Sequence, residues 1–120
     1  MQLVAIDHVQ LAMPKGEETK ARAFYIDVLG MTELDKPDAL AKRGGAWFSA
    51  GSVQIHLGVE EDFSPAKKAH VALSVKDAAQ LRAKLYEHGH RVQEDDLIPG
   101  VKRFYTDDSF GNRIEIIELD

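Results

Sequence analysis

The chain has 120 residues, 44% hydrophobic and 29% charged, with a formal net charge of −5 and no cysteine. That is one domain's worth of ordinary globular composition, which excludes disorder, and no apolar run is long enough for a membrane-spanning helix. Without cysteine there is no disulfide framework, thiolate nucleophile or thiolate-bound metal, and an acidic chain with no dense Lys/Arg window argues against nucleic acid or a polybasic membrane contact.

The start, Met1-Gln2-Leu3, runs directly into a strand pattern with no basic and apolar leader, so a cytoplasmic location is expected. Residues 3–13 read as a strand. Residues 17–29 read as a helix, because Ala21, Phe24, Tyr25, Val28 and Leu29 share one face. Gly30 stands where a positive φ is wanted to end it. Short strands are expected near 31–35, 44–50 and 53–58, punctuated by Gly44-Gly45 and Gly51. A linker over about 59–68 follows, and then the order repeats.

Residues 69–75 read as a strand. Asp77 with Gln80 forms a capping box, Ala78, Leu81 and Leu85 give the next helix its apolar face, and Gly89 ends it. Strands near 90–94, 101–106 and 112–119 complete eight strands and two helices. Asp108 to Asn112 reads as the hairpin turn into the last strand. The acidic runs Glu60-Glu61-Asp62 and Glu94-Asp95-Asp96 read as solvated loops, and His88 and His90 as surface residues.

The repeat is numerical. Gly30 and Gly89 are 59 residues apart, as are His56 and Glu115, while His8 and His70 are 62 apart in similar surroundings. The extra residues of the first half fall around Pro14-Lys15-Gly16. The chain is therefore expected to be a single α+β domain over 1–120, made of two βαβββ modules at about 3–58 and 69–119. Each module's helix covers one face of its sheet, so the other face is free for another purpose.

Strand parity says what that free face carries, since successive side chains point to opposite sides. Val9, Leu11 and Met13 belong with the helix, as do Val53, Ile55 and Leu57, Val71, Leu73 and Val75, and Ile114 and Ile116. His8, His56, His70 and Glu115 then all lie on the free face, in the first and last strands of each module. They are either isolated polar residues or a site, and three imidazoles with one carboxylate suit a divalent Zn, Ni, Co, Mn or Fe ion.

Asp7-His8-Val9, Phe24-Tyr25 with Val28-Leu29-Gly30-Met31, Ala69 to Val75, and Gly111-Asn112-Arg113-Ile114-Glu115 together span the chain. In that order they resemble the vicinal oxygen chelate superfamily, which includes glyoxalase I, fosfomycin- and bleomycin-resistance proteins and extradiol dioxygenases. The resemblance implies paired modules whose sheets form a cup, with helices on the outer face. It implies a divalent metal held by His8, His56, His70 and Glu115, a small-molecule substrate, and a homodimer. One position departs from bacterial glyoxalase I, which carries a carboxylate where this chain has His56. The ligand set around a divalent ion then sums to +1 rather than zero, which favours an anionic oxygen. Glu115, or an unligated His56, would have to move the proton.

Gln10 and Gln54 share the ligand face, where they either orient a substrate or stand as exposed strand amides. Trp47 sits beside Phe48, so one of the two faces the cup as a pocket wall and the other packs inward. Arg103 and Tyr105 share a face and would clamp an anionic group if that face turns inward. No phosphate-binding loop, dinucleotide fingerprint or nucleophile arrangement is visible. The leading expectation is a metal-dependent enzyme of lyase, isomerase or thiol-transfer type. The rivals are a non-catalytic protein that sequesters small molecules or antibiotics in the same cup, and a domain whose cup is vestigial.

Overall fold

A computed structural model of the chain describes residues 1–119. The chain divides into two compact units, Met1–Phe63 and a second beginning at Ser64. The first unit runs β1 (Val9–Met13), α1 (Glu18–Tyr25), β2 (Thr32–Leu34), α2 (Asp38–Ala41), β3 (Ala46–Ala50) and β4 (Val53–Val59). Its sheet has the order β1-β4-β3-β2, with β1 parallel to β4 and the other pairs antiparallel. The second unit runs β5 (Val71–Val75), α3 (Ala78–Glu87), β6 (Gln93–Asp95), β7 (Arg103–Asp107) and β8 (Arg113–Glu118). Its order, β5-β8-β7-β6, is the same with β5 parallel to β8. These are the two βαβββ modules of an α+β fold. Among the described residues no helix is long and apolar enough to cross a membrane.

Helices α1 and α3 each cover one face of their own sheet. Phe24 and Tyr25 of α1 are fully buried, and Tyr25 stacks on Phe48 of β3 with ring centroids 5.2 Å apart. Met13, Ile55 and Leu57 close the same core. In the second unit Ala78, Leu81 and Leu85 are buried, as are Phe104, Ile114 and Ile116. Each large side chain buried this way contributes about 1.5–3 kcal/mol. The Asp77 carboxylate accepts the Gln80 amide at 3.0 Å, the cap expected of that pair. Gly30 and Gly89 both hold positive φ, 72° and 79°, just past their helices.

The repeat survives in the register. Gln10 stands opposite His56 in the first sheet, and Ala72 opposite Glu115 in the second. Trp47 opposes His56 as Tyr105 opposes Glu115, and Ser49 opposes Gln54 as Asp107 opposes Arg113.

Four expectations need correction. The first strand begins at Val9 rather than residue 3: with Val9 opposite Ile55 and β4 beginning at Val53, residues 3–6 have no partner in β4. The segment before it outruns its partner, leaving Leu3, Val4 and Ile6 exposed. A third helix, α2, follows Pro37, whose preset φ of −55° opens the turn. Helix α1 ends at Tyr25, and a looser coil with Val28 N–H bonded to Phe24 O carries the chain to Gly30. Val53, placed with the core by parity, is 40% exposed because it opens its strand.

A turn of two glycines locks the edge of the first sheet. Gly44 and Gly45 have φ of 75° and 84°. A Cβ on Gly45 would lie 2.1 Å from the Leu57 carbonyl oxygen. The Gly45 amide donates to Glu18 Oε2 at 3.1 Å, and Lys36 Nζ donates to the Gly44 carbonyl. The turn thus binds α1 and the chain before β3 to β4, the strand that carries His56.

Candidate functional site

Parity in β7 and β8 brings Arg103, Tyr105, Arg113 and Glu115 to the face of the second sheet that α3 does not cover. Tyr105 stands directly opposite Glu115. His70 precedes β5, and its Nε2 lies 2.9 Å from Glu115 Oε1. The other carboxylate oxygen accepts Arg103 Nη1 at 3.2 Å, and Arg103 Nη2 donates to Asp95 at 2.8 Å. Arg103 Nη1 also reaches the Tyr105 hydroxyl at 3.2 Å, and the Tyr105 ring meets His70 edge-on at 5.4 Å. The result is a chain, His70–Glu115–Arg103–Asp95, on one sheet face.

Its electrostatics favour charge. Burial pushes the Glu115 carboxyl up, but hydrogen bonds from His70 and Arg103 outweigh it and hold it below the usual carboxylate range. Burial pulls the Arg103 guanidinium down, but Glu115 and Asp95 hold it above its ordinary value. The Leu97 amide, with Arg103, holds Asp95 low.

The His70 ring is oriented by its other nitrogen. Nδ1 lies 2.8 Å from the Lys68 carbonyl oxygen, which can only accept, so Nδ1 carries a proton. Nε2 then faces the carboxylate with either a second proton or a lone pair. A nitrogen lone pair and a carboxylate oxygen converging on one point is the donor arrangement a divalent cation satisfies, with the ring held by a backbone carbonyl behind it. By donor chemistry, then, His70 and Glu115 fit a metal. Among the described residues no group of three or more His, Asp and Glu side chains is arranged to hold an ion.

The equivalent face of the first sheet is aromatic. His8, His56 and Trp47 form a stack, with His8 to His56 centroids 3.9 Å apart and Trp47 to His56 4.2 Å. Trp47 therefore shares the His56 face, while Phe48 packs under α1. His56 is buried, and burial, with the nearby His8 imidazole, lowers its pKa. Gln54 Oε1 lies 3.1 Å from His56 Nε2. His8 Nδ1 is 2.9 Å from the Asp7 carboxylate, which leaves its Nε2 open. Gln10 lies over Gly58, where a Cβ would come within 2.5 Å of its amide nitrogen.

The expected residues thus assemble as two sets. His8, Gln10, Trp47, Gln54 and His56 belong to the first unit, and His70, Arg103, Tyr105 and Glu115 to the second. Arg103 is held through its two terminal nitrogens by Glu115 and Asp95, while its Nε is buried without a hydrogen-bond partner. The acidic run at 94–96 is not simply solvated: Asp95 pairs with Arg103, and Glu94 pairs with Arg82 at 2.7 Å. Asp95 directly faces Arg103 in the register, a pairing that the acidic run alone does not signal. The turn at 108–112 is structural as expected, with Asp108 accepting from the Phe110 and Asn112 amides at 2.8 and 2.9 Å. His88 is exposed and His90 half-buried.

Two βαβββ modules with the same strand order define a class of small α+β proteins. Residues 5–116 match the sequence model of the Glyoxalase/Bleomycin resistance protein/Dioxygenase superfamily, and the chain belongs to that superfamily. Among solved structures, a glyoxalase family protein from Bacillus anthracis is 48% identical, with a TM-score of 0.94 over 100% of this chain and 98% of that one. The fosfomycin resistance protein FosX from Listeria monocytogenes shares the fold at 13% identity and a TM-score of 0.76, covering 99% of this chain and 94% of its own. An antibiotic-binding protein, TnmS3, from a Streptomyces species does so at 22% identity and 0.71, covering 98% and 100%. No curated protein is significantly similar to the chain.

Proposed function

We propose that the protein is a cytoplasmic, metal-dependent enzyme that acts on a small oxygenated substrate by lyase, isomerase or thiol-transfer chemistry. The observation that carries this reading is the His70–Glu115 couple, 2.9 Å apart with the far side of the ring tied to a carbonyl. His70 and Glu115 are the proposed metal ligands of the second unit, with His8 from the first, and His56 is either a fourth ligand or, unligated, a base. Asp7 holds His8 in the tautomer with Nε2 open, as a ligand requires. When bound, a divalent cation supplies Lewis-acid polarisation of two adjacent substrate oxygens. Arg103 keeps Glu115 ionised and oriented. Glu115, or a buried His56 left unligated, is the proposed proton carrier, and Gln10 and Gln54 offer amides to the substrate. The exposed apolar side chains of Leu3, Val4 and Ile6 support a homodimer, which light scattering will test.

Elemental analysis after chelation and reloading with Zn, Ni, Co, Mn or Fe tests the reading. About one ion per chain is expected, lost in His70→Ala. No uptake of any of the five would refute it.

A second reading is favoured by the ring stack of the first unit. His8, at the outer end of the His8–His56–Trp47 stack, has a side chain 39% exposed, and its face suits an aromatic guest. A sequestering protein would show saturable quenching of Trp47 by an aromatic antibiotic in metal-free protein, with no turnover under any metal.

A further inference from the structure

A second polar site lies two residues along β8 from Glu115. A pocket of about 380 Å³ opens there, walled by Pro65, Lys67, Arg91, Asp107, Gly111 and Arg113. That volume lies within the range of small-ligand sites, roughly 300–1,000 Å³. Three cationic side chains line it against one carboxylate. Asp107 is taken by Arg91, at 2.5 Å to Nε and 3.3 Å to Nη2, and Gln93 accepts Arg91 Nη1 at 2.8 Å. Arg91 is therefore neutralised inside the wall.

Arg113 and Lys67 are not. Among the described residues neither takes part in an ion pair. The Arg113 guanidinium carbon lies 4.0 Å over the Tyr105 ring, which fixes its plane. Its one hydrogen bond among the described residues is a long one, Nη1 to the Lys67 carbonyl at 3.4 Å. A guanidinium has five donors, so most remain unused. The wall opposite is built by close approach: a Cβ on Gly111, at φ of +88°, would meet Pro65 Cγ at 3.1 Å. In the first sheet the equivalent of Arg113 is Gln54, so the charge is particular to this half.

We propose that this pocket binds an oxyanion, a carboxylate or phosphoryl group, gripped by the in-plane donors of Arg113 with Lys67 alongside. A planar fork beside a point charge is the pairing that suits such groups. Its use as the subsite that selects anionic substrates rests on the metal-dependent function proposed above; its binding of an oxyanion does not.

The test uses intact metal-free protein titrated with inorganic phosphate and, separately, acetate at constant ionic strength, followed by calorimetry and the ring NMR signals of Tyr105. Saturable binding of either anion that shifts Tyr105 is expected, weakened about tenfold or more in Lys67→Ala and in Arg113→Gln. His70→Ala should bind the anion as the parent does. Preference for phosphate identifies a phosphoryl group as the ligand, and preference for acetate a carboxylate. No saturation by either anion, or binding that survives both pocket substitutions, overturns the site. Lys67→Ala alters only an exposed side chain, so it decides the matter if Arg113→Gln unfolds. Metal uptake measured on the same samples separates the two ideas. Uptake without anion binding sinks only the pocket, and anion binding without uptake sinks only the metal reading.

Discussion

Gly45→Ala gives a direct test of how the first sheet holds His56. Two costs add. At φ of 84° an alanine sits in the left-handed region, which costs about 1–2 kcal/mol. Its Cβ would also lie 2.1 Å from the Leu57 carbonyl oxygen, almost an ångström inside the 3.0 Å that real Cβ atoms keep. That oxygen is backbone, so β3 must move off β4 at the Ala46–Leu57 pair, with loss of roughly two hydrogen bonds at about 0.5–1.5 kcal/mol each. The total is about 3 kcal/mol. With a urea slope near 2 kcal/mol/M, the midpoint falls by about 1.5 M. Gly51→Ala is the control: its φ is also positive, 56°, but nothing lies within 4 Å of the added Cβ. It should cost only the conformational part, about 1 kcal/mol or about 0.5 M. Unfolding is followed by Trp47 fluorescence and by circular dichroism, whose agreement checks that the transition is cooperative. Equal midpoint shifts for the two variants would refute the clash argument.

Phe48→Ala should cost about 3–5 kcal/mol, read as a fall in urea midpoint, because the ring is fully buried and stacked on Tyr25. Asp77→Ala removes the cap of α3 and should cost about 1 kcal/mol by the same assay. For the metal-free protein, the lowered pKa of His56 means the unfolded chain takes up a proton that the folded ring refuses. Stability from this residue is therefore full above its ordinary value of 6.5 and is lost as the pH falls toward the folded value, so urea midpoints at about pH 7.5 and about pH 5.5 should differ less in His56→Gln. Glu115 acts in the same direction at lower pH: its stabilisation is present above 4.5 and disappears as the pH falls through its depressed pKa, a loss that Glu115→Gln should remove.

The module plan was legible because both signals that specify it are local. Ala21, Phe24 and Tyr25 mark one helix face, Ala78, Leu81 and Leu85 the other, and the glycines at 30 and 89 mark the ends. Parity placed His56 and Glu115 on the faces away from the helices, and the spacing of 59 aligned them in the register. What escaped the sequence depends on pairing. Parity within one strand cannot say which way β7 turns, so Arg103 and Tyr105 stayed ambiguous until opposed to Ile117 and Glu115. Asp95 was hidden in an acidic run whose neighbours are exposed. Helix α2 is a single turn, too short for periodicity to register.

The matched registers have a consequence for how such a protein changes over time. Trp47, Gln54 and His56 hold the positions that Tyr105, Arg113 and Glu115 hold in the other half. One half presents a stack of aromatic rings, the other a charged chain running through Arg103 to Asp95. The same register therefore carries two different chemistries in one chain. Within each half the site is built from that half's own strands, so a substitution such as Gln54 for Arg113 changes the charge of a face while its strand register stays the same.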